Sequence, residues 1–168
     1  MLVLQEGNLQ KIVLNMGELY VSDKEVILET LLGSCVATCL FDKKKKIGGM
    51  NHILLPGCIK ENNAQAMIDK KDDKFGIFAL DKLLNKMKDL GADRKNLIAK
   101  IFGASYVYGN YSYFKIQEEN VEFVKAYMDM IKIPIVENVT YLKHPIRIKL
   151  NTHTGQTWIR NIKKFHKE

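Results

Sequence analysis

Short apolar runs separated by turn-forming residues fill the first third of the chain, a pattern that predicts β-strands. The first two runs, Ile12–Leu14 and Leu19–Val21, flank an Asn-Met-Gly turn. Three longer runs follow, at Glu25–Leu32, Val36–Phe41 and Ile47–Leu55. We interpret these as consecutive buried strands of a β-meander, with a solvent-exposed hairpin tip at the lysines from Lys43 to Lys46.

Two later segments carry apolar residues at the three-and-four spacing of amphipathic helices. The first runs from Phe75 to Leu90 and is followed by Gly91, a residue type that commonly ends helices. The second runs from Gln117 to Ile131. Residues 57–74 are polar and predict an exposed loop or a short helix. The remaining predicted strands are Asn96–Ala104, Ile133–Val136, Ile146–Leu150 and Gln156–Ile162, with a turn at Thr154 and Gly155.

The order of these elements predicts a layered α/β domain, because helices alternating with strands must bury their apolar faces on a sheet. We expect an α+β layered sandwich of mixed or antiparallel β-sheets with two main helices packed on them. The 168 residues, 46% hydrophobic and 27% charged, predict a single globular domain over residues 1–168.

The net charge of +7 predicts an anionic partner, which leaves nucleic acid, a membrane surface or an acidic protein open. The lysine tetrad is best explained as a solvated turn, since neither a basic stripe with interleaved aromatic residues nor a helix-turn-helix pattern accompanies it. No secretion signal is recognisable at the start, and no apolar run approaches the ~20 residues that span a bilayer. We therefore expect a cytoplasmic, soluble protein with no nucleic-acid binding and no membrane insertion.

Cys35 is the most informative of the three cysteines, because it directly follows Gly33 and Ser34 at the end of a predicted strand. A sharp turn there would expose the thiol and bring the backbone N–H groups near Ser34 and Cys35 to an oxyanion. Catalysis also needs a base to generate the thiolate, and the hairpin would return His52 to Cys35.

Two alternatives to this pair remain open. Cys35 and His52 are each compatible with a purely structural role in the core. A zinc site would use Cys35, Cys39, His52 and Cys58, but two cysteines four apart on a strand lie ~13 Å apart, too far to share one ion. We interpret Cys39 as a core residue and Cys58 as a loop thiol.

An aromatic cluster follows the predicted strand that ends at Gly103. Exposed tyrosines would favour a protein-contact surface, and a satellite hydrophobic core is the alternative. The cluster consists of Tyr106, Tyr108, Tyr111, Tyr113 and Phe114.

Two stretches resemble the CheD family of chemoreceptor glutamine deamidases of bacterial chemotaxis. They are Thr30 to Asp42, TLLGSCVATCLFD, and Gly48 to Pro56, GGMNHILLP. Weaker agreement continues through Gly91-Ala92, residues 99–103 and residues 151–155, so the resemblance covers nearly the whole chain. It implies a layered α/β fold and a Cys-His-Thr site that hydrolyses selected receptor glutamines to glutamate and releases ammonia, without a metal or organic cofactor. It assigns the nucleophile to Cys35 and the base to His52.

The third member of the site is either Glu29 or Thr30. The family usually has a threonine six residues before the cysteine, where this chain has Glu29, and Thr30 stands one residue later. Neighbours on a strand face opposite sides, so only one of them reaches His52 unless the strand bulges. Position favours Glu29, whose carboxylate would orient the imidazole as acids do in other nucleophile-base sites.

Two segments depart from the family pattern. Gly103-Ala104-Ser105 stands where the family tends to have two glycines, and His144-Pro145-Ile146 stands where it usually has a Gly-Gly-Arg-like turn. We expect both segments to flank the substrate entrance.

The resemblance also implies partners, namely the cytoplasmic helical domain of a chemoreceptor and a CheC-type phosphatase. A competing hypothesis is a non-catalytic adaptor that binds receptors and such a phosphatase. Glu29 favours the adaptor, whereas Cys35 and His52 favour the enzyme. The charge of +7 suits an acidic helical receptor surface, where it would speed encounter.

Overall fold

A computed structural model describes residues 1–53, 76–106 and 114–162 of the chain. Cys58, the polar segment 57–74 and most of the predicted aromatic cluster lie outside these ranges. The strands of the described residues are β1 (Leu2–Glu6), β2 (Leu9–Leu14), β3 (Leu19–Ser22), β4 (Ile27–Leu32), β5 (Val36–Asp42), β6 (Ile47–Ile53), β7 (Leu97–Gly103), β8 (Ile135–Thr140), β9 (Ile146–Asn151) and β10 (Thr157–Asn161). The helices are α1 (Gly76–Asp89) and α2 (Phe114–Met130), and a short 3₁₀ turn occupies Arg94–Asn96.

The strands form two five-stranded mixed sheets. The first sheet has the order β1-β2-β4-β9-β10, with β2 and β4 parallel. The second has the order β3-β6-β5-β7-β8, with β7 and β8 parallel. The remaining neighbours in both sheets are antiparallel. Both helices pack on the second sheet, which confirms the predicted α/β sandwich with two main helices.

Two hydrophobic cores hold the layers together. One lies between the helices and the second sheet and includes Leu40, Leu83 and Val124. The other lies between the two sheets and includes Leu28 and Met50. The second sheet lies between the helices and the first sheet. Because side chains alternate along a strand, each strand of the second sheet contributes one face to each core.

The β5–β6 hairpin and its lysine tip are confirmed. The side chains from Lys43 to Lys46 are exposed, and the Asp42 carboxylate accepts hydrogen bonds from the backbone N–H groups of Lys44 and Lys45. Both predicted helices are confirmed as well. Gly91 follows α1 with φ +94°, the left-handed conformation that ends helices.

The predicted meander is wrong in its first strand. β4 belongs to the first sheet, where it pairs with β2 and β9, and only β5 and β6 pair with each other. An apolar run reports that a strand is buried but not which strand lies beside it. The structure also adds β1, whose side chains are largely exposed, and extends β8 to Thr140, beyond the predicted strand at Ile133–Val136.

Candidate active site

Cys35 lies in the three-residue crossover that carries the chain from β4 in the first sheet to β5 in the second. Its side chain is partly buried against the core between the sheets. Two hydrogen bonds fix the crossover from the segment after β7. The Ala104 N–H donates to the Cys35 carbonyl over 2.7 Å, and the Ser105 N–H donates to the Gly33 carbonyl over 2.8 Å. These two hydrogen bonds therefore fix the backbone of the crossover that carries the candidate nucleophile.

Gly103 makes this close approach feasible. It has φ +110°, and a Cβ atom built on it would lie 2.2 Å from the Cys35 carbonyl oxygen. No real Cβ contact is that short, so any side chain here would displace the crossover or the end of β7. The sequence indicates Gly103 as a strand end and as part of a segment near the substrate entrance, but not as a contact of Cys35, because that contact comes from a distant part of the chain.

His52 lies near the end of β6, directly opposite Ala37 of β5. Cys35 precedes Ala37 by two residues, so its side chain and that of His52 lie on the same face of the sheet. Such diagonal neighbours are ~7–8 Å apart at their Cα atoms, within reach of a sulfur and an imidazole ring. The hairpin predicted from the sequence thus places His52 opposite a residue only two positions after Cys35.

Thr30 joins His52 from the other sheet. Its Oγ1 lies 2.8 Å from His52 Nδ1 and also donates to the Leu14 carbonyl over 2.8 Å. A hydroxyl has one proton, which goes to Leu14, so the Thr30 oxygen accepts from an N–H at Nδ1. Nε2 then carries the free lone pair of the imidazole. That nitrogen is buried and makes no hydrogen bond within the described part of the chain.

Glu29 faces away from His52, which corrects the preference for it that its position suggested. Its carboxylate lies on the opposite side of β4 and is 2.7 Å from Arg147, 3.5 Å from Lys11 and 3.7 Å from Lys149. The strand does not bulge here, because both residues keep regular pairing with β2 and β9. Of the two candidates, Thr30 is the one that contacts the histidine.

Met16 was not identified from the sequence, and it contacts the thiol. Its Sδ lies 3.8 Å from Cys35 Sγ, and its side chain is half exposed. The turn that carries it is fixed to His52 on both sides, because Gly17 N–H donates to the His52 carbonyl over 2.8 Å and His52 N–H donates to the Glu18 carbonyl over 2.9 Å. Met16 therefore forms an apolar wall beside Cys35.

Burial shifts both candidate catalytic groups toward their neutral forms. It raises the pKa of the Cys35 thiol above its ordinary value. It lowers the pKa of His52 to about 4, although the Leu14 carbonyl and the negative charge of Glu18 oppose this change. The resting pair at neutral pH is accordingly a thiol and a neutral imidazole, a base ready to accept a proton.

Neither Cys39 nor the glycines of the GGMNH motif belong to the candidate site. Cys39 is buried between the sheets as predicted, and burial raises the pKa of its thiol far above the ordinary value. Cys58 lies outside the described residues, within which no cluster of metal-ligating side chains occurs. Gly48 and Gly49 of the GGMNH motif meet the Thr152 backbone and the α1 side chains Leu83 and Met87, so both allow close packing around β6.

The two segments that depart from the family pattern lie beside the crossover. Ala104 and Ser105 donate the hydrogen bonds to Cys35 and Gly33 described above, and Ala104 has φ 50°, unusual for a residue other than glycine. Pro145 precedes β9, whose first residue, Ile146, pairs with Leu32 just before the crossover. That these two segments flank the substrate entrance stays a prediction.

Comparison with known proteins identifies the family of this chain. The family model described as CheD chemotactic sensory transduction matches residues 54–161. The chain belongs to the CheD family. It is 37% identical over 150 residues to the probable chemoreceptor glutamine deamidase CheD 1 of Shewanella oneidensis, covering 89% of this chain and 71% of that protein. It is 33% identical over 150 residues to the probable chemoreceptor glutamine deamidase CheD of Laribacter hongkongensis, with the same coverage of both chains.

The CheD family match confirms the resemblance recognised in the sequence, but the family model begins after Cys35 and His52. The interpretation of those two residues therefore depends on their geometry. Among the described residues, no helix is long and apolar enough to cross a membrane.

Proposed function

We propose that this chain is a hydrolase that deamidates glutamine side chains of chemoreceptors to glutamate, with Cys35 as nucleophile, His52 as general base and Thr30 as the residue that orients His52. The names of its CheD relatives supply the substrate class. The observation that carries the assignment of roles is the Thr30–His52 hydrogen bond, because it places the imidazole proton on Nδ1 and leaves Nε2 free to act as the base.

The first half of the reaction forms a thioester. Nε2 of His52 takes the Cys35 proton as sulfur attacks the amide carbon of glutamine, and backbone N–H groups at Ser34 and Cys35 stabilise the oxyanion. The imidazolium then donates its proton to the leaving nitrogen, the C–N bond breaks and ammonia departs.

The second half restores the enzyme. His52 takes a proton from water, which attacks the thioester carbon. The C–S bond then breaks to release glutamate, and the imidazolium returns its proton to the departing sulfur, which restores the Cys35 thiol and neutral His52. The chain's own residues supply every proton transfer in this scheme, and Met16 would contact the aliphatic part of the glutamine side chain.

The test of this proposal is incubation of the purified chain with the cytoplasmic fragment of a chemoreceptor, followed by mass spectrometry. We expect a gain of about 1 Da at particular glutamines, together with release of ammonia, because an amide becomes an acid. A fragment with those glutamines replaced by glutamate is the control and should not change. Binding of the fragment without any mass change would favour the non-catalytic adaptor instead. Binding of a CheC-type phosphatase stays a prediction from the resemblance.

The pH profile should reflect the low pKa of His52. Since that pKa is about 4, the imidazole is neutral and competent throughout the range from pH 6 to pH 8 and becomes protonated only in acid. We expect kcat/KM to stay nearly constant as pH falls from 7 to about 5.5 and to decrease below that. Circular dichroism at each pH separates this effect from unfolding. A midpoint near 6.5, the ordinary value of histidine, would contradict the buried neutral base.

Thr30→Val should lower kcat, because valine keeps the shape of threonine but cannot accept the hydrogen bond from Nδ1. The loss of one hydrogen bond and of tautomer control predicts a decrease of about tenfold or more, with KM little changed. Thr30→Ser, which keeps the hydroxyl, should retain most of the activity. Glu29→Gln is the matched control on the other side of β4 and should reduce stability rather than kcat. Equal effects of Thr30→Val and Glu29→Gln on kcat would contradict the orienting function of Thr30.

A further inference from the structure

The outer face of the first sheet is uncovered in the described part of the chain, since both described helices pack on the second sheet. On β4, Leu28 and Leu32 face the core between the sheets and Thr30 faces His52, so Glu29 points outward. The strand register brings outward side chains of four strands together there. We call this surface the open face and define it by Lys11, Glu29, Arg147, Lys149, Trp158 and Arg160.

The open face combines a net positive charge with internal ion pairs. Three of its four cations, Lys11, Arg147 and Lys149, pair with the buried carboxylate of Glu29, and Lys149 also pairs with Glu6 at 2.6 Å. With Glu6 included, four positive and two negative groups leave a charge of about +2. Arg160 lies at the outer edge on β10, next to Arg147 in the register, and has no acidic partner among the described residues.

Large apolar side chains are exposed on the same surface. Trp158 is 42% exposed and Leu31 49% exposed, and Leu2 and Leu4 of β1 project from the same side of the sheet. The surface is also concave. A cavity of about 700 Å³ is lined by Trp158, Arg160 and the charged side chains around Glu29. Exposed aromatic and aliphatic groups flanked by arginine are typical of protein interfaces.

We infer that the open face is a docking surface for an acidic, amphipathic α-helix of another protein. A helix laid on a sheet is the normal way to bury a sheet face, and acidic side chains would complement the cations around Trp158. A second copy of this chain would bring two positive faces together, which opposes self-association. The concave shape and the embedded carboxylates of Glu6 and Glu29 oppose a flat anionic membrane.

The open face does not include the groups proposed to react with glutamine, although β4 contributes one residue to each side. Glu29 on the open face and Thr30 beside His52 are consecutive residues of that strand. Binding is therefore measured separately from catalysis, and Cys35→Ala should bind the helix as well as the original chain does.

Trp158 is the only tryptophan of the chain, so its fluorescence reports directly on this surface. The probe is a stapled helix of about 18 residues with leucines on one side and glutamates on the other, titrated into the full chain. We expect saturable binding with a blue shift of the emission, weakened about tenfold when salt rises from about 0.05 M to about 0.5 M. The same helix with lysines in place of glutamates should not bind.

Arg160→Glu is the decisive variant and should weaken binding of the acidic helix at least about fivefold. Lys43→Glu, at the exposed hairpin tip of the other sheet, is the charge-matched control and should have little effect. Four results would overturn the inference: no binding of the acidic helix, equal binding of the basic helix, equal loss in both variants, or a blue shift with phosphatidylglycerol vesicles in place of the peptide. A concentration-dependent blue shift of the chain alone would also overturn it, in favour of self-association.

Discussion

Cys35→Ala should reduce deamidation of a receptor fragment to the uncatalysed level, because no other described residue can replace the thiol at the crossover. Removal of a nucleophile typically lowers kcat by roughly 10⁴-fold or more, since the remaining groups only bind and polarise the amide. The side chain is partly exposed and makes no hydrogen bond within the described ranges other than its contact with Met16, so the fold should tolerate alanine. Mass spectrometry of the fragment measures the loss, and thermal unfolding measures the stability.

Cys39→Ala is the control for this prediction. Cys39 of β5 packs in the same core as Cys35 but is fully buried, so its truncation to alanine should lower stability by about 1 kcal/mol or more, without loss of kcat. Undiminished deamidation by Cys35→Ala would refute the assignment of the nucleophile. Loss of activity in Cys39→Ala but not in Cys35→Ala would transfer the chemistry to a different thiol.

Gly103→Ala should be nearly as damaging, although Gly103 does not take part in the reaction. The new Cβ would lie 2.2 Å from the Cys35 carbonyl, so the crossover must move away from the position set by Ala104 and Ser105. A displacement of about 1 Å at a reacting group costs on the order of a hundredfold in rate. We therefore expect kcat/KM to decrease about a hundredfold or more, with a loss of stability from the strained φ of +110°.

Gly91→Ala separates the effect of a displaced crossover from the effect of backbone strain. Gly91 has φ +94°, but a Cβ there would meet nothing within 4 Å, and the residue lies after α1 rather than at the crossover. This variant should lose about 1 kcal/mol of stability from backbone strain and retain kcat/KM. If Gly103→Ala retains kcat/KM as well, the position of the crossover is not critical for catalysis.

The local elements of this fold can be predicted from sequence, because their signals are local. The helices α1 and α2 follow from apolar spacing, and the β5–β6 hairpin follows from two apolar runs around Asp42 and four lysines. That hairpin is sufficient to bring His52 back toward Cys35. The proximity of the proposed nucleophile and the proposed base along this hairpin can therefore be predicted from the sequence.

The pairing of β4 was not accessible, because its partners are β2 and β9, and β9 begins more than a hundred residues later. The choice between Glu29 and Thr30 depended on that pairing, since the side of β4 that faces His52 is known only once the two sheets are stacked. The position of Glu29 in the sequence favours its carboxylate over the Thr30 hydroxyl, but that carboxylate pairs with three cations on the open face. Contacts between distant parts of the chain also explain why the sequence does not reveal the contact of Met16 with Cys35 or the need for glycine at position 103.

The central claim is that the sulfur of Cys35 attacks the receptor glutamine, and affinity labelling tests it most directly. A receptor fragment with a target glutamine replaced by its chloromethyl ketone analogue delivers an electrophile to the group that attacks the amide carbon. We predict that the label is found by tandem mass spectrometry on Cys35, in proportion to the loss of activity, and that Cys35→Ala takes up no label. Inactivation with the label on Cys39, on Cys58 or on any residue other than Cys35 would contradict the account.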